Sequence, residues 1–183
     1  MISGQCTEIF NQLLRAAEHL FLIRGARHAL YRASIQGCFR CNRYSKSTTT
    51  ISRTTGFEKL MFPGVEVGLS GWQRSHSQGS GTGFESPNAI RYAPEEVNQE
   101  FQRLGIERYL RELFELKPAD TELWLTTVTA THPRTLRLKE IQYRVDAVKR
   151  GSSRRLFEAS IEVADQRLNP RVTVNATPFV KTF

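Results

Sequence analysis

The strongest constraint on the fold is a change of period after Asp120, where apolar and polar residues begin to alternate. Four successive segments follow this pattern, and they start at Leu123, Ile141, Phe157 and Val172. Alternation in segments rich in β-branched and aromatic residues is typical of strands with one buried face. The connections between these segments are short and contain the turn residues Gly, Pro and Asn. Because short connections join antiparallel strands, consecutive strands are expected to pair antiparallel. The pattern predicts a four-stranded antiparallel β-meander.

Two helical patterns precede the meander. Pro94, followed by two glutamates, favours a helix start, and Gly105 is placed to end that helix. A second short helix is predicted from about Ile106 to Leu116, where Pro118 stops it. The predicted fold class is therefore α+β. A helix pair packs on the four-stranded meander, preceded by a Gly-rich loop and an N-terminal helix.

The first 65 residues differ in composition from the rest. Apolar residues at helical spacing predict one amphipathic helix within residues 1–33, while the Ser- and Thr-rich composition of residues 34–65 predicts a disordered linker. Residues 66–183 form the predicted α+β domain. Residues 1–70 hold 9 basic and 4 acidic groups, more than half of the net charge of +8. The basic balance therefore permits an acidic partner without requiring one.

Several classes of protein are excluded. No apolar run reaches the roughly 18–20 residues that cross a bilayer, so no integral membrane segment is expected. Three cysteines (Cys6, Cys38, Cys41) are an odd number, and the Cys38–Cys41 pair has no second half-site at a usual zinc spacing. P-loop, dinucleotide-binding and zinc-protease motifs are absent. We expect no metal and no cofactor.

The segment from Gly71 to Ser86 is dense in glycine and carries chemically useful side chains. Glycines let a backbone approach a ligand closely and turn several N–H groups towards an anion. A histidine transfers protons near neutral pH, a carboxylate serves as its partner, and an arginine stabilises phosphoryl charge. The candidate catalytic residues are His76, Glu85 and Arg74. Trp72 and Thr82 are candidates for binding the substrate.

A second group lies where the first two strands of the meander connect. His132 stands there beside Arg134, and the sheet arginines Arg144 and Arg171 are placed to share its face. Metal-independent RNA cleavage needs one group to deprotonate the 2′-hydroxyl, one to protonate the leaving oxygen and a cation to stabilise the phosphorane. His132 is therefore a fourth candidate catalytic residue, and the three arginines are candidate substrate-binding residues.

Residues 66–180 resemble the C-terminal effector domains of bacterial polymorphic toxin systems. The resemblance rests on five segments: 72–85, 86–94, 97–99, 136–146 and 156–162. Several such toxins are ribonucleases of the barnase–EndoU–colicin–RelE type, in which helices precede a four-stranded antiparallel sheet. EndoU ribonucleases carry two H-x-x-G motifs, and His76-Ser77-Gln78-Gly79 looks like one of them. The second motif is missing, because His132 is not followed by a glycine three residues later. The resemblance implies delivery into a target cytoplasm and a cognate immunity protein.

The leading hypothesis is a toxin-type, metal-independent nuclease that acts on RNA with His76 as its acid/base. An ADP-ribosyltransferase-like toxin is a second enzymatic hypothesis, in which Glu85 orients the nucleophile and Arg74 holds the dinucleotide. A non-catalytic protein-binding module is the third, because acidic residues stand among the arginines of the predicted sheet. These alternatives stay open at the level of the sequence.

Overall fold

The computed structural model describes residues 30–33, 37–43, 60–61, 63, 68–79 and 90–183. The elements in chain order are β1 (Leu30–Ala33), β2 (Gly37–Arg43), β3 (Trp72–His76), β4 (Ile90–Pro94), a π-helix (Val97–Glu107), α1 (Arg108–Leu116), β5 (Thr121–Thr131), β6 (Leu138–Lys149), β7 (Ser152–Val163) and β8 (Val172–Ala176). Within these residues no helix is long and apolar enough to cross a membrane.

The strands form two sheets in which every neighbouring pair is antiparallel. The larger sheet has the order β1-β2-β5-β6-β7-β8, and β3 pairs with β4 in a separate two-stranded sheet. Consecutive pairing of β5 to β8 confirms the predicted meander. A single bridge between Tyr92 and Arg137 joins the small sheet to the beginning of β6.

The alternation predicted from the sequence appears as two distinct faces of the meander. Leu125, Val145 and Phe157 are paired in register and lie in the hydrophobic core, each at most 2% exposed. The adjacent set of paired residues, Thr126, Arg144 and Glu158, points away from the core, and we call that side the outer face. The two helical elements cover the core face, where the Tyr109 ring packs edge-on against Phe157 at 5.7 Å.

The predicted helix pair is wrong, because one helical stretch runs from Val97 to Leu116 without a break. Gly105 lies inside the π-helix and is not among the glycines with positive φ, the conformation by which a glycine ends a helix. The next residue, Ile106, is 5% exposed, and its burial in the core holds the chain in the helical path. A tertiary contact therefore overrides the local stop signal.

Strands also occupy segments for which the sequence predicts other structure. β1 and β2 lie where the end of the N-terminal helix and the linker are expected, and β3 lies inside the expected Gly-rich loop. Each is held by backbone pairing with a partner strand, β2 on β5 and β3 on β4, and such pairing needs no apolar alternation. The remainder of the predicted N-terminal helix (1–29), most of the predicted linker (44–59) and the rest of the glycine-dense segment (80–86) lie outside the described residues.

Candidate functional site

Strand β3 carries three of the predicted site residues: Trp72, Arg74 and His76. Successive side chains of a strand point to opposite faces, so these three share one face while Gln73 and Ser75 share the other. Arg74 is half-buried and donates to the carbonyl oxygen of Leu60 at 3.4 Å. His76 is buried, with 7% of its surface exposed. The opposite face of β3 meets the π-helix.

Gln102 of the π-helix is the centre of a buried hydrogen-bond network. Its Oε1 accepts from Ser75 Oγ at 2.5 Å, and its Nε2 donates to the His76 carbonyl oxygen at 3.0 Å and to the Tyr143 hydroxyl oxygen at 2.6 Å. The network thereby ties β3, the π-helix and β6 together. A fully satisfied buried amide of this kind holds its neighbours in one arrangement.

A cleft opens directly after His76, and we call it the Glu107 cleft. Its volume is about 200 Å³ including the open mouth, and its polar lining consists of Ser77, Gln78, Gly79, Gln102, Glu107 and Tyr143. Gln78 Nε2 donates to the carbonyl oxygen of Leu125 at 3.2 Å, which fixes the floor of the cleft to β5. Two apolar side chains, Ile106 and Leu125, complete the lining.

Glycine at position 79 permits a close approach in this cleft. A Cβ atom built on Gly79 would lie 1.8 Å from Glu107 Oε1, far inside contact distance. The carboxylate therefore packs directly against the backbone of the chain that leads into the glycine-rich segment. Arg111 reaches the other side of the same carboxylate, with Nη1 3.9 Å from Oε2.

Tyr143 presents a phenol that stays protonated. Burial raises its pKa well above the usual value for tyrosine, the hydrogen bond from Gln102 acts in the opposite direction, and the negative charge of Glu107 raises the pKa further. The cleft thus combines a carboxylate, which is a potential proton acceptor, with a neutral hydroxyl that can donate a hydrogen bond.

The π winding of the helix explains how Gln102 and Glu107 reach the same cleft. In an α-helix, residues five positions apart point roughly 140° away from each other. In a π-helix the backbone bonds residue i to residue i+5, which brings the two side chains to nearly the same side. The winding from Val97 to Glu107 therefore sets the carboxylate beside the amide.

His132 lies in a second polar cluster, on the connection between β5 and β6. Its Nε2 is 3.0 Å from the Val163 carbonyl oxygen, and its Nδ1 is 4.0 Å from Asp165 Oδ1. Arg137 donates to the same carboxylate oxygen at 2.7 Å. Burial lowers the pKa of His132 below its usual value, and the charge of Asp165 partly offsets that effect. We call this group the His132 cluster.

Trp72 connects the small sheet to the His132 cluster. Its indole N–H donates to the Arg167 carbonyl oxygen at 2.9 Å, and the Arg137 guanidinium lies 5.9 Å from its ring centre. Two further predicted substrate-binding residues lie near this cluster and are exposed. Arg134 is in the turn before β6 with a φ of 59°, and the backbone of Arg171 accepts a bond from Ala164, next to Val163.

The structure separates the predicted site residues into groups. Trp72 and His76 stand at opposite ends of β3, about 13 Å apart along an extended strand, so the His132 cluster and the Glu107 cleft are distinct places. Arg144 belongs to the outer face, where its Nε lies 2.7 Å from Asp146 Oδ2. Thr82 and Glu85 lie outside the described residues.

Sequence reasoning missed the residues that define the cleft. Gln102, Glu107 and Tyr143 belong to no motif, and their approach depends on the π winding, for which the sequence carries no clear signal. The one hint was the glycine-dense segment, because Gly79 is where the backbone meets a carboxylate. Among the residues that the structure describes, no three His, Cys, Asp or Glu side chains converge as in a metal site.

Comparison with known families gives one result. The family model described as bacterial toxin 4 matches residues 69–166, which is more than half of the chain. No curated protein and no solved structure matches the sequence. The matched span includes the Glu107 cleft, the His132 cluster and three strands of the meander, and it confirms the resemblance to bacterial toxin effector domains. The chain belongs to the bacterial toxin 4 family.

Proposed function

We propose that this toxin effector domain is a metal-independent ribonuclease in which His76 is an acid/base group. The observation that carries the proposal is the position of His76, the last residue of β3, immediately before the Glu107 cleft. In this proposal the carboxylate of the cleft is the proton acceptor and His76, adjacent to the cleft in the chain and on the strand face opposite Ser75, is the proton donor. Membership of a bacterial toxin family supports a damaging activity of this kind.

Arg74 and Glu85 complete the proposed catalytic group. Arg74 shares a strand face with His76, two positions before it, and in this proposal stabilises charge on the phosphorane. Glu85 follows in the glycine-dense segment as a second acid/base group, with Thr82 beside it as a contact to the substrate. These two assignments rest on the sequence alone.

The basic residues near the His132 cluster are proposed to hold the RNA backbone. Arg134 and Arg171 are exposed there, and neither forms a side-chain ion pair among the described residues. Exposed arginines bind phosphate groups with little sequence preference. His132 itself is held by Val163 and Asp165, which favours a role in positioning this region. Trp72 helps to position this region, because its ring contacts the Arg137 guanidinium.

A toxin of this family implies a cognate immunity protein, and we propose that one binds this domain in the producing cell. We also propose that the domain acts after delivery into a target cytoplasm. Both statements follow from the family, and neither depends on the choice of RNA as the target.

One observation favours a second candidate, a protein-binding module. On the outer face, Asp146 binds both Arg144 and Arg155, and Glu158 binds Arg155 as well. Arginines neutralised in this way are poor phosphate ligands, so the outer face is unsuited to RNA. A mixed-charge surface of this type instead suits a protein partner.

The test is induced expression of the full chain in bacteria, followed by growth curves and gels of total RNA. His76→Ala is compared with His132→Ala, which truncates the other buried histidine in the described part of the chain. We expect wild type to arrest growth and fragment RNA, His76→Ala to lose both effects, and His132→Ala to retain cleavage if its melting temperature allows folding.

Other outcomes distinguish the alternatives. Fragmented RNA with His76→Ala as well would remove His76 from the mechanism. Arrest with intact RNA and transfer of labelled ADP-ribose from nicotinamide dinucleotide to a macromolecule would favour the transferase hypothesis. A folded, harmless wild-type chain would favour the protein-binding module.

A further inference from the structure

The Glu107 cleft contains one group whose bonding is incomplete. Ser77 is 3% exposed, and no described residue hydrogen-bonds its Oγ. Leaving such a buried hydroxyl unsatisfied costs on the order of 1–3 kcal/mol. The other polar groups of the lining hold bonds to the protein, as Gln78 and Gln102 do. Ser77 Oγ therefore has hydrogen-bonding capacity that a ligand atom can satisfy.

The chemistry of the lining restricts the class of ligand group that can bind. The Glu107 carboxylate accepts hydrogen bonds, the Tyr143 phenol is neutral, and Ser77 Oγ both donates and accepts. A ligand group that meets all three must itself donate and accept, as an alcohol hydroxyl does. The interior of the cleft has room for about one water-sized group, so it suits a single hydroxyl of the ligand.

We propose that the Glu107 cleft binds the 2′-hydroxyl of an RNA ribose and that Glu107 is the general base acting on it. This inference rests on the proposed ribonuclease function and deepens it. The 2′-hydroxyl is the group that distinguishes RNA from DNA. The cleft therefore both selects ribose and begins the reaction, while Ser77 and Tyr143 hold the hydroxyl in place.

The proposed step is balanced within the protein and its substrate. Glu107 takes the proton from the 2′-hydroxyl as its oxygen forms a bond to the adjacent phosphorus. The bond from phosphorus to the 5′-oxygen breaks, and that leaving oxygen takes a proton from a general acid outside the cleft lining, the role proposed above for His76. The products are a 2′,3′-cyclic phosphate and a free 5′-hydroxyl, so neither water nor a metal ion enters this step.

The first test uses purified full-length chain and a short RNA of defined sequence. We expect Glu107→Gln to lower kcat by 100-fold or more, in the range of a lost general base. Its acidic pH limb, which reports ionisation of the base, should also disappear. Glu112→Gln changes a carboxylate on α1 that pairs with Arg108 and Lys181, and it should stay within twofold of wild type.

Two further variants keep the proposal testable if Glu107→Gln folds poorly. Gly79→Ala leaves the carboxylate in the chain but forces it out of position, so kcat should fall at least tenfold. Ser77→Ala should raise KM for RNA. Its matched control is Thr127→Val, which removes another buried hydroxyl without a partner among the described residues, outside the cleft lining, and should leave KM unchanged.

A binding measurement separates failure of this inference from failure of the ribonuclease proposal. Cytidine 3′-monophosphate and its 2′-deoxy analogue, neither of which the enzyme can cleave, are titrated while side-chain amide signals of Gln78 and Gln102 are followed by NMR. We expect the ribonucleotide to shift both signals at concentrations at least tenfold lower than the deoxy analogue. Glu107→Gln should abolish that difference.

The outcomes are distinct. RNA cleavage by wild type together with equal cleavage by Glu107→Gln and Gly79→Ala would overturn the inference and leave the ribonuclease proposal standing. Intact RNA with wild type would overturn the ribonuclease proposal and the catalytic role of Glu107. In that case ribonucleotide-specific shifts would still support the hydroxyl site, whereas equal or absent shifts would overturn it too.

Discussion

At the scale of single residues, the arrangement of side chains around the cleft is held by the amide of Gln102, which does not titrate. Gln102 uses both ends of its side chain, so the Ser75 hydroxyl, the His76 carbonyl and the Tyr143 phenol are all held by one residue. Sequence motifs direct attention to histidine, arginine and carboxylates. A glutamine in a helix has no such signal, and its importance becomes visible only from the contacts.

Replacing Gln102 with methionine keeps the approximate volume and removes all three bonds. We expect the free energy of unfolding to fall by about 2–4 kcal/mol, because each buried polar group left without a partner costs roughly 1–3 kcal/mol. Urea denaturation measures the change. Gln99→Met is the control: Gln99 is half-buried and donates to Gln73 at 2.9 Å, so its loss should be below about 1 kcal/mol. Equal losses would contradict the central role of Gln102.

His132 should make the stability of the domain depend on pH. Its pKa is lowered in the folded state, chiefly by burial, so the unfolded chain binds the proton more readily. The contribution of neutral His132 is therefore complete above its unfolded pKa of about 6.5 and is lost as the pH falls below it. We expect the urea midpoint to decrease between about pH 7.5 and pH 5, and His132→Gln to flatten this slope.

The neighbouring charges provide a control for that titration. Asp165 raises the pKa of His132, while Arg137 and Lys139 lower it. Asp165→Asn should therefore lower the pKa of His132 further and steepen the loss of stability over the same pH range. An unchanged slope in both variants would show that the pH dependence arises elsewhere.

At the scale of elements, the meander was predictable and the other strands were not. Segments such as Ile141–Ala147 alternate strictly, because one face meets the core and the other meets water, and β6 (Leu138–Lys149) contains the predicted segment. β1 to β4 lack that alternation, since their places depend on backbone pairing, which for β2 is pairing with the distant strand β5. Gly105 is the opposite case, a clear local stop signal that burial of its neighbour Ile106 overrides.

The β6–β7 pair contains a charge arrangement that can be tested. Asp146 is 6% exposed and accepts from Arg144 at 2.7 Å and from Arg155 at 2.9 Å. Asp146→Asn removes the shared carboxylate and leaves two arginines without it, so we expect a loss of about 2 kcal/mol. Glu158→Gln removes the exposed partner of Arg155 and should cost less than about 1 kcal/mol. Thermal unfolding of both variants gives the comparison, and similar losses would contradict the burial argument.

At the scale of the whole molecule, the predicted domain boundary at residue 66 can be tested against the sheet. β2 pairs with β5 over seven positions, from Trp124 to Ala130, although it lies outside residues 66–183. A chain of residues 66–183 would expose that edge, and unpaired edges associate with each other. We expect it to form dimers or aggregates by size-exclusion chromatography with light scattering. A chain of residues 30–183, which keeps β1 and β2, should remain monomeric.

That pairing also bears on which part of the chain can be moved as a unit to another protein. The family match begins at Leu69, yet the hydrogen-bonding edge of β5 is closed by residues that precede it by more than twenty-five positions. A fusion point just before Leu69 would leave that edge of β5 unpaired and able to associate with other chains. We therefore expect the unit that can be moved without aggregation to be longer than the unit that the family shares and to begin no later than Leu30.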